Sequence, residues 1–261
     1  MIRLVWRLAT LVVILLAGLL ILLLGYRWLS VARRDRIKQH WSAWLVRACG
    51  LRVTLVRPAG ARTPLPDFLV MNHVSWLDIF VLNSVLPATF VAKAEIRRWP
   101  LIGWLVAGSG TIFVERGSRH AVRRVNQLMS KRLAAGERVA FFPEGTTSDG
   151  TGLLPFHTSL FASAMESDGE TFQRQVIQPI ALVYFQRGKV STIPAFVGDQ
   201  TLVQSIVQIL AARDLSADIR LLPVIDALPP PLTRHALAAA AEHRIRTAIE
   251  ASLVGADRST F

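Results

Sequence analysis

His73 is the residue in this sequence best placed to move a proton near neutral pH. It is released at the end of the apolar run Phe68-Leu69-Val70-Met71, within Asn72-His73-Val74-Ser75-Trp76-Leu77-Asp78, so that Asp78 follows five positions later. An imidazole can take a proton from a weak nucleophile, and a carboxylate beside it fixes the tautomer and stabilises the imidazolium that forms. Residues five apart on a continuous α-helix diverge by about 140°. His73 and Asp78 therefore meet only if His73 lies in a turn and the helix begins after it. Ser75-x-x-Asp78 has the form of a capping box that would begin it there. The same residues also describe an ordinary helix start beside a turn histidine, so the rest of the chain has to decide.

Three further groups sit at the carboxyl ends of strand-like runs, where open α/β sheets place their ligands. Gly110-Thr111-Ile112-Phe113-Val114-Glu115-Arg116 delivers one guanidinium, a group suited to phosphate; taken alone it is a surface arginine. Phe142-Pro143-Glu144-Gly145-Thr146-Thr147-Ser148 joins a glycine turn to three hydroxyls and a run of N–H groups able to cradle an anion. Glu144 is a poor phosphate ligand by charge, which assigns it to a cation such as Arg116 or to a substrate hydroxyl. The third group, around Pro179, has no reactive side chain and is at most a pocket wall. Lys93 and His157 are additional basic or polar candidates. Cys49 is the single cysteine, which excludes an internal disulfide framework, and nothing near it in sequence marks a nucleophile. Gly108-Ser109-Gly110 lacks the full hydrolase-elbow pattern. No metal-ligand cluster is visible, and neither a metal nor a cofactor is expected.

Asn72-His73-x-x-x-x-Asp78, Gly110-x-Ile112-Phe113-Val114-x-Arg116 and Phe142-Pro143-Glu144-Gly145-Thr146, in that order and spacing, resemble the glycerolipid acyltransferase family that includes the 1-acylglycerol-3-phosphate acyltransferases. The block around Pro179 is similar but degenerate, and the resemblance runs from Leu51 to Ala181. It implies transfer of a fatty acyl chain from acyl-CoA or acyl-carrier protein to the hydroxyl of lysophosphatidic acid in phospholipid synthesis. His73 would be the base, Asp78 its orienter, and Arg116 with Glu144 and Gly145 the site for the acceptor's polar head, to which Thr146 and Lys93 are added. Gly145 to Gly150, Leu154-Pro155-Phe156-His157 and Gly198-Asp199 are similar to the lyso-ornithine lipid branch. That acceptor has no phosphomonoester and would not need Arg116 as a phosphate clamp. Two other readings change the class: a thioesterase or lipase in which His73 activates water, and a non-catalytic lipid-binding membrane protein that retains the fold.

These residues need a scaffold, and the pattern from Leu51 onward supplies one. Strands are expected at Leu51–Val56, Phe68–Met71, Thr89–Val91, Thr111–Val114, Val139–Phe142, Val176–Tyr184 and Ile219–Ile225. Helices are expected at Trp76–Val85, Trp99–Val106, after Ser118, at Leu202–Ala212 and at Thr233–Leu253. The alternation describes an α/β domain over residues 51–261, with a central, largely parallel β-sheet flanked by helices.

The N-terminal part is different in kind. Leu8 to Tyr26 has no charged residue, long enough to cross a hydrocarbon core of about 30 Å. Trp6, Tyr26 and Trp28 stand where interfacial aromatics belong, so residues 1–28 read as a transmembrane helix or deeply inserted anchor. Residues 29–50 mix tryptophans with arginines and suit either an interfacial helix or one packed on the domain. More Arg and Lys follow the apolar stretch than precede it, which places the catalytic domain on the cytoplasmic side of the inner membrane. A formal net charge of +12 with 52% hydrophobic residues points to acidic partners: anionic lipid headgroups, a phosphorylated lysolipid, or an acidic carrier protein or coenzyme. Nucleic acid is argued against by the membrane anchor and by the absence of any recognition signature.

Overall fold

The computed structural model describes residues 2–58, 60–61, 63–99, 102–115, 119–165, 176–226 and 233–257. Strands β1 (Leu51–Val56), β2 (Phe68–Met71), β3 (Thr89–Lys93), β4 (Ile112–Val114), β5 (Val139–Phe141), β6 (Ile177–Gln186) and β8 (Leu215–Leu221) form one sheet in the order β1-β8-β6-β2-β5-β3-β4. The short β7 (Lys189–Val190) folds back on β6 as a hairpin. All pairings of β1, β2, β3, β4 and β5 are parallel, whereas β6 meets β8 and β7 antiparallel. The sheet is thus α/β and largely parallel, as the alternation of apolar runs implied.

Period-2 alternation decides which core each side chain enters. In β2 every residue is buried: Phe68 and Val70 point into one core, Leu69 and Met71 into the other. The core that takes Phe68 and Val70, called the second below, is covered by α5 (Arg119–Ala134), α7 (Arg234–Asp257) and the 3-10 turn Ser159–Ala164, and the core that takes Leu69 and Met71 is the first. Over the first lie α1 (Ile2–Leu23), α2 (Val31–Ala48), α3 (Asp78–Asn83) and α6 (Leu202–Ala211). One more helix, α4 (Ile102–Gly108), packs against α1.

Bounds shift by a few residues in several elements, and two of the departures have a local cause. β8 begins at Leu215 and ends at Leu221, while Ile225 returns only as a single bridge to Ile177. Its charges conceal it: Leu215, Ala217, Ile219 and Leu221 are buried, while Asp218 and Arg220 share the other face and pair at 3.0 Å. α3 is shorter than the expected Trp76–Val85, because the chain on either side of it closes in i→i+3 turns, Asp78 N–H to Ser75 C=O and Val85 N–H to Leu82 C=O.

α1 and α2 form a hairpin joined through Gly25, and both contribute to the same core as the sheet. Gly18 permits the close approach: a Cβ there would lie 2.7 Å from Trp41 Nε1, which donates to Ile14 C=O at 2.8 Å. The opposite end of α1 is tied to α6. Arg7 donates to Leu210 and Ala212 carbonyls at 2.9 and 2.8 Å, and Arg3 to Ala211 C=O at 2.7 Å, satisfying the orphan acceptors of that helix end. The outer face of α1, with Val5, Trp6, Val13, Leu16 and Leu20, stays exposed, as do Trp28, Trp44 and Trp104.

Candidate functional site

The site forms where β2 ends. Asn72 is fully buried and stands in for a further ladder residue: its side-chain NH2 donates to Leu182 C=O at 2.9 Å, and its Oδ1 accepts Leu182 N–H at 2.7 Å. The main chain is thereby free to leave the sheet at His73. Asp78, fully buried, then gathers the turn. Its Oδ2 accepts His73 Nδ1–H at 2.8 Å, Val74 N–H at 2.7 Å and Ser75 N–H at 2.9 Å. Only half of the capping box forms, since Ser75 Oγ accepts Leu77 N–H instead of that of Asp78. An ionised carboxylate only accepts, so the proton shared with it sits on Nδ1 and the basic nitrogen of His73 is Nε2. The imidazole is stacked on Phe142, ring centroids 3.9 Å apart and 13° from parallel, which fixes its plane.

Two side chains complete this support, and the sequence reading passed over one and cast the other differently. The Tyr184 hydroxyl, buried on β6, donates to Asp78 Oδ1 at 2.7 Å. Burial first, then the Asp78 charge, push its phenol well above 10, so it remains a donor at any working pH. The available signal was a lone hydroxyl in the otherwise apolar run Ile180–Phe185, since a buried phenol needs a partner. Glu144 is directed at backbone: Oε1 accepts His73 N–H at 2.6 Å and Oε2 accepts Leu154 N–H at 2.9 Å. Burial pushes its carboxyl up to about 7, with Asp78 adding to the effect and the two N–H donors opposing it.

The loop after Glu144 is spent largely on positioning. Gly145, at φ +66°, donates its N–H to Phe142 C=O, and Ser148 donates N–H to His73 C=O at 2.8 Å. The Thr147 hydroxyl bonds to Phe196 C=O, whose own N–H donates to Val74 C=O at 2.9 Å. The expected anion cradle is accordingly thinner than the sequence suggested. Thr146 stays exposed, and with Gly145, Lys93 and His157 it lines the same cavity as His73. Arg116 lies outside the described residues. Pro179 pairs with Val70 inside the sheet, away from the cavity lining.

That cavity has a volume of about 1050 Å³. From His73 and Phe142 it runs beneath the N-terminal hairpin, past Phe80, Trp41, Leu105 and Leu15, and its wall is mainly apolar. Among the described residues no three His, Cys, Asp or Glu side chains gather as a metal site. Cys49 is buried in the first core and its thiol is pushed up to about 12 by desolvation, which removes it as a nucleophile.

A base that lines a mainly apolar cavity, with the one cysteine buried in the core, fits direct transfer to a lipid hydroxyl. Known proteins agree. The family model described as Acyltransferase matches residues 59–183. The lyso-ornithine lipid O-acyltransferase of Pseudomonas aeruginosa is 36% identical over 90% of each chain. The 1-acyl-sn-glycerol-3-phosphate acyltransferase of Neisseria meningitidis is 34% identical over 83% of this chain and 82% of that one.

The chain belongs to the acyltransferase family.

It is an enzyme of the 1-acylglycerol-3-phosphate O-acyltransferase type. The crystal structure of the acyltransferase PlsC from Thermotoga maritima shares its fold, with a TM-score of 0.56 at 15% identity over 94% of this chain and 97% of that one. The fold therefore persists at an identity where sequence alone says little. Membrane association is suggested by the apolar α1 together with the lipid-modifying relatives.

Proposed function

We propose that this acyltransferase moves a fatty acyl chain from the thioester of acyl-CoA or acyl-carrier protein to the hydroxyl of lysophosphatidic acid, at the cytoplasmic face of the inner membrane. The observation that carries the reading is the Asp78-held His73, whose free nitrogen belongs to a ring lining an apolar cavity of about 1050 Å³. Nε2 takes the acceptor's hydroxyl proton as the oxygen attacks the thioester carbonyl. The C–S bond then breaks, and the departing thiolate takes the proton from the imidazolium. Nothing is left on the enzyme, in keeping with the inert Cys49. Lys93, His157 and Thr146 at the cavity wall suit an anionic headgroup. The exposed apolar face of α1, with Trp6, Trp28, Trp44 and Trp104, suits lipid contact. Because α1 is held to the domain at α6 and along α4, it inserts with the domain against the bilayer, as an anchor in place of a span that leaves the domain behind.

Lyso-ornithine lipid is the second reading, favoured by a different observation. A polar cleft lined by Asp149, Thr192, Asp199 and Gln204 adjoins the cavity at Val197, and its carboxylates suit an ammonium headgroup. The test offers membranes carrying the parent or His73→Ala each lysolipid in turn, with labelled thioester. Product from one lysolipid, falling by about 10²–10⁴-fold in the variant, supports the mechanism and names the acceptor. Unchanged transfer by the variant, or release of free fatty acid without any acceptor, would overturn it.

A further inference from the structure

The donor thioester has to reach His73, and one surface of the molecule has no role in anything described so far. α5 carries five Arg or Lys and no acidic residue in its 16 positions. Arg132 is paired with Glu137 at 2.8 Å. Arg123, Arg124 and Lys131 are exposed, with no ion pair among the described residues. At 100° per residue, His120, Arg124, Gln127 and Lys131 fall in a single stripe, Arg123 lies beside it, and Val125, Met129 and Leu133 face the core. The stripe runs about 16 Å at 1.5 Å per residue. Arg97 and Arg98, exposed on the 3-10 turn Ala94–Arg98 that packs against β4, extend the same charge across the sheet edge.

Its position sets the partner. α5 covers the second core, whereas α1 covers the first, so the sheet separates the basic stripe from the apolar face suited to lipid. Of the large apolar residues of α5 only Leu128 is exposed, and no aromatic accompanies it, so the helix has little to insert into a bilayer. The inner face of α5 nevertheless reaches the catalytic cavity, because Val122 lines it. The acids nearest in sequence are Glu115, which lines that cavity, and Glu137, which is paired with Arg132; neither belongs to the helix.

We propose that the exposed face of α5, centred on Arg123, Arg124 and Lys131, is the docking surface for an acidic acyl-carrier protein, which presents its thioester arm to the cavity past Val122. The inference rests on the acyl-transfer reading above and names its donor. Unpaired cations on a solvent-facing helix recognise an acidic protein through complementary charge, which governs encounter and KM more than the chemical step.

The test compares the full chain with Arg123→Glu/Arg124→Glu/Lys131→Glu, assayed with the same acceptor and either acyl-carrier protein or acyl-CoA. The expected result is a KM for acyl-carrier protein raised by roughly tenfold or more, with kcat and the acyl-CoA kinetics unchanged. Partial rescue by a carrier with two surface acids changed to lysine would support direct pairing. An equal loss with both donors, unchanged carrier kinetics, or a parent that uses acyl-CoA alone would overturn the proposal while leaving acyl transfer intact. So would a variant whose only defect is weaker binding to anionic vesicles, since that would assign the stripe to lipid. If the triple reversal does not fold, Arg123→Gln/Arg124→Gln decides by the same ratio of donors. A parent inactive with both donors refutes the transfer reading itself.

Discussion

Tyr184→Phe removes one oxygen from the support of the base and leaves the ring in place. Tyr184 and Asp78 are both buried, and the 2.7 Å bond between them uses the carboxylate oxygen that His73 does not. A hydrogen bond to a charged group contributes about 1.5–3 kcal/mol, so the variant should lose roughly 2 kcal/mol of stability. Three donors remain on Asp78 Oδ2, and they keep the carboxylate where it is. The catalytic consequence is therefore electrostatic. With the phenol gone, negative charge on Asp78 is less dispersed, and the imidazolium is favoured over the free base. The acid limb of kcat/KM against pH should move upward, because the less dispersed charge on Asp78 holds the imidazolium at Nδ1 more tightly. The plateau above it should change by no more than roughly threefold, because Nε2 and the cavity are untouched. The assay is initial-rate acyl transfer over a pH series in detergent micelles, paired with thermal unfolding. Asp78→Asn is the control: it removes the charge, moves the limb in the opposite direction and costs far more in kcat. A Tyr184→Phe profile that overlays the parent's, with stability reduced or not, would refute the positioning role.

Two other perturbations test the frame around the base. Asn72→Ala leaves the N–H and C=O of Leu182 without partners inside a buried sheet, which should cost about 2–4 kcal/mol in chemical denaturation; a loss below about 1 kcal/mol would mean the strand re-pairs without it. Glu144 has its carboxyl raised to about 7, so the folded state holds a proton that the unfolded chain has released above about 4.5. Its contribution is fully present at pH 4 and fades as pH rises through 7, and the stability of the parent relative to Glu144→Gln should fall across that window. Melting curves at several pH values that run parallel for the two proteins would contradict this.

What the sequence alone determined is local. A separation of five positions from His73 to Asp78, a serine between them and an apolar run before them sufficed to expect a turn histidine facing a carboxylate, because covalent spacing limits where the two side chains can go. β1 was legible as an alternation that matches the pleat, and β2, β5 and β6 as short continuous apolar runs buried on both faces. β8 was displaced because its charged residues sit on a face that a neighbour-blind reading takes for a strand's end. The partners that turn a histidine into an oriented base come from far along the chain. Tyr184 lies 106 positions from Asp78, and Glu144 lies 71 from His73. Their meeting depends on β2 being inserted between β5 and β6, which follows from how buried faces pack and not from any pattern within one segment. Glu144 shows the difference most plainly. A carboxylate in a loop motif suggests a ligand for a cation, and only the register of two adjacent parallel strands brings it under the backbone of His73, where burial raises its carboxyl and two N–H groups occupy its oxygens.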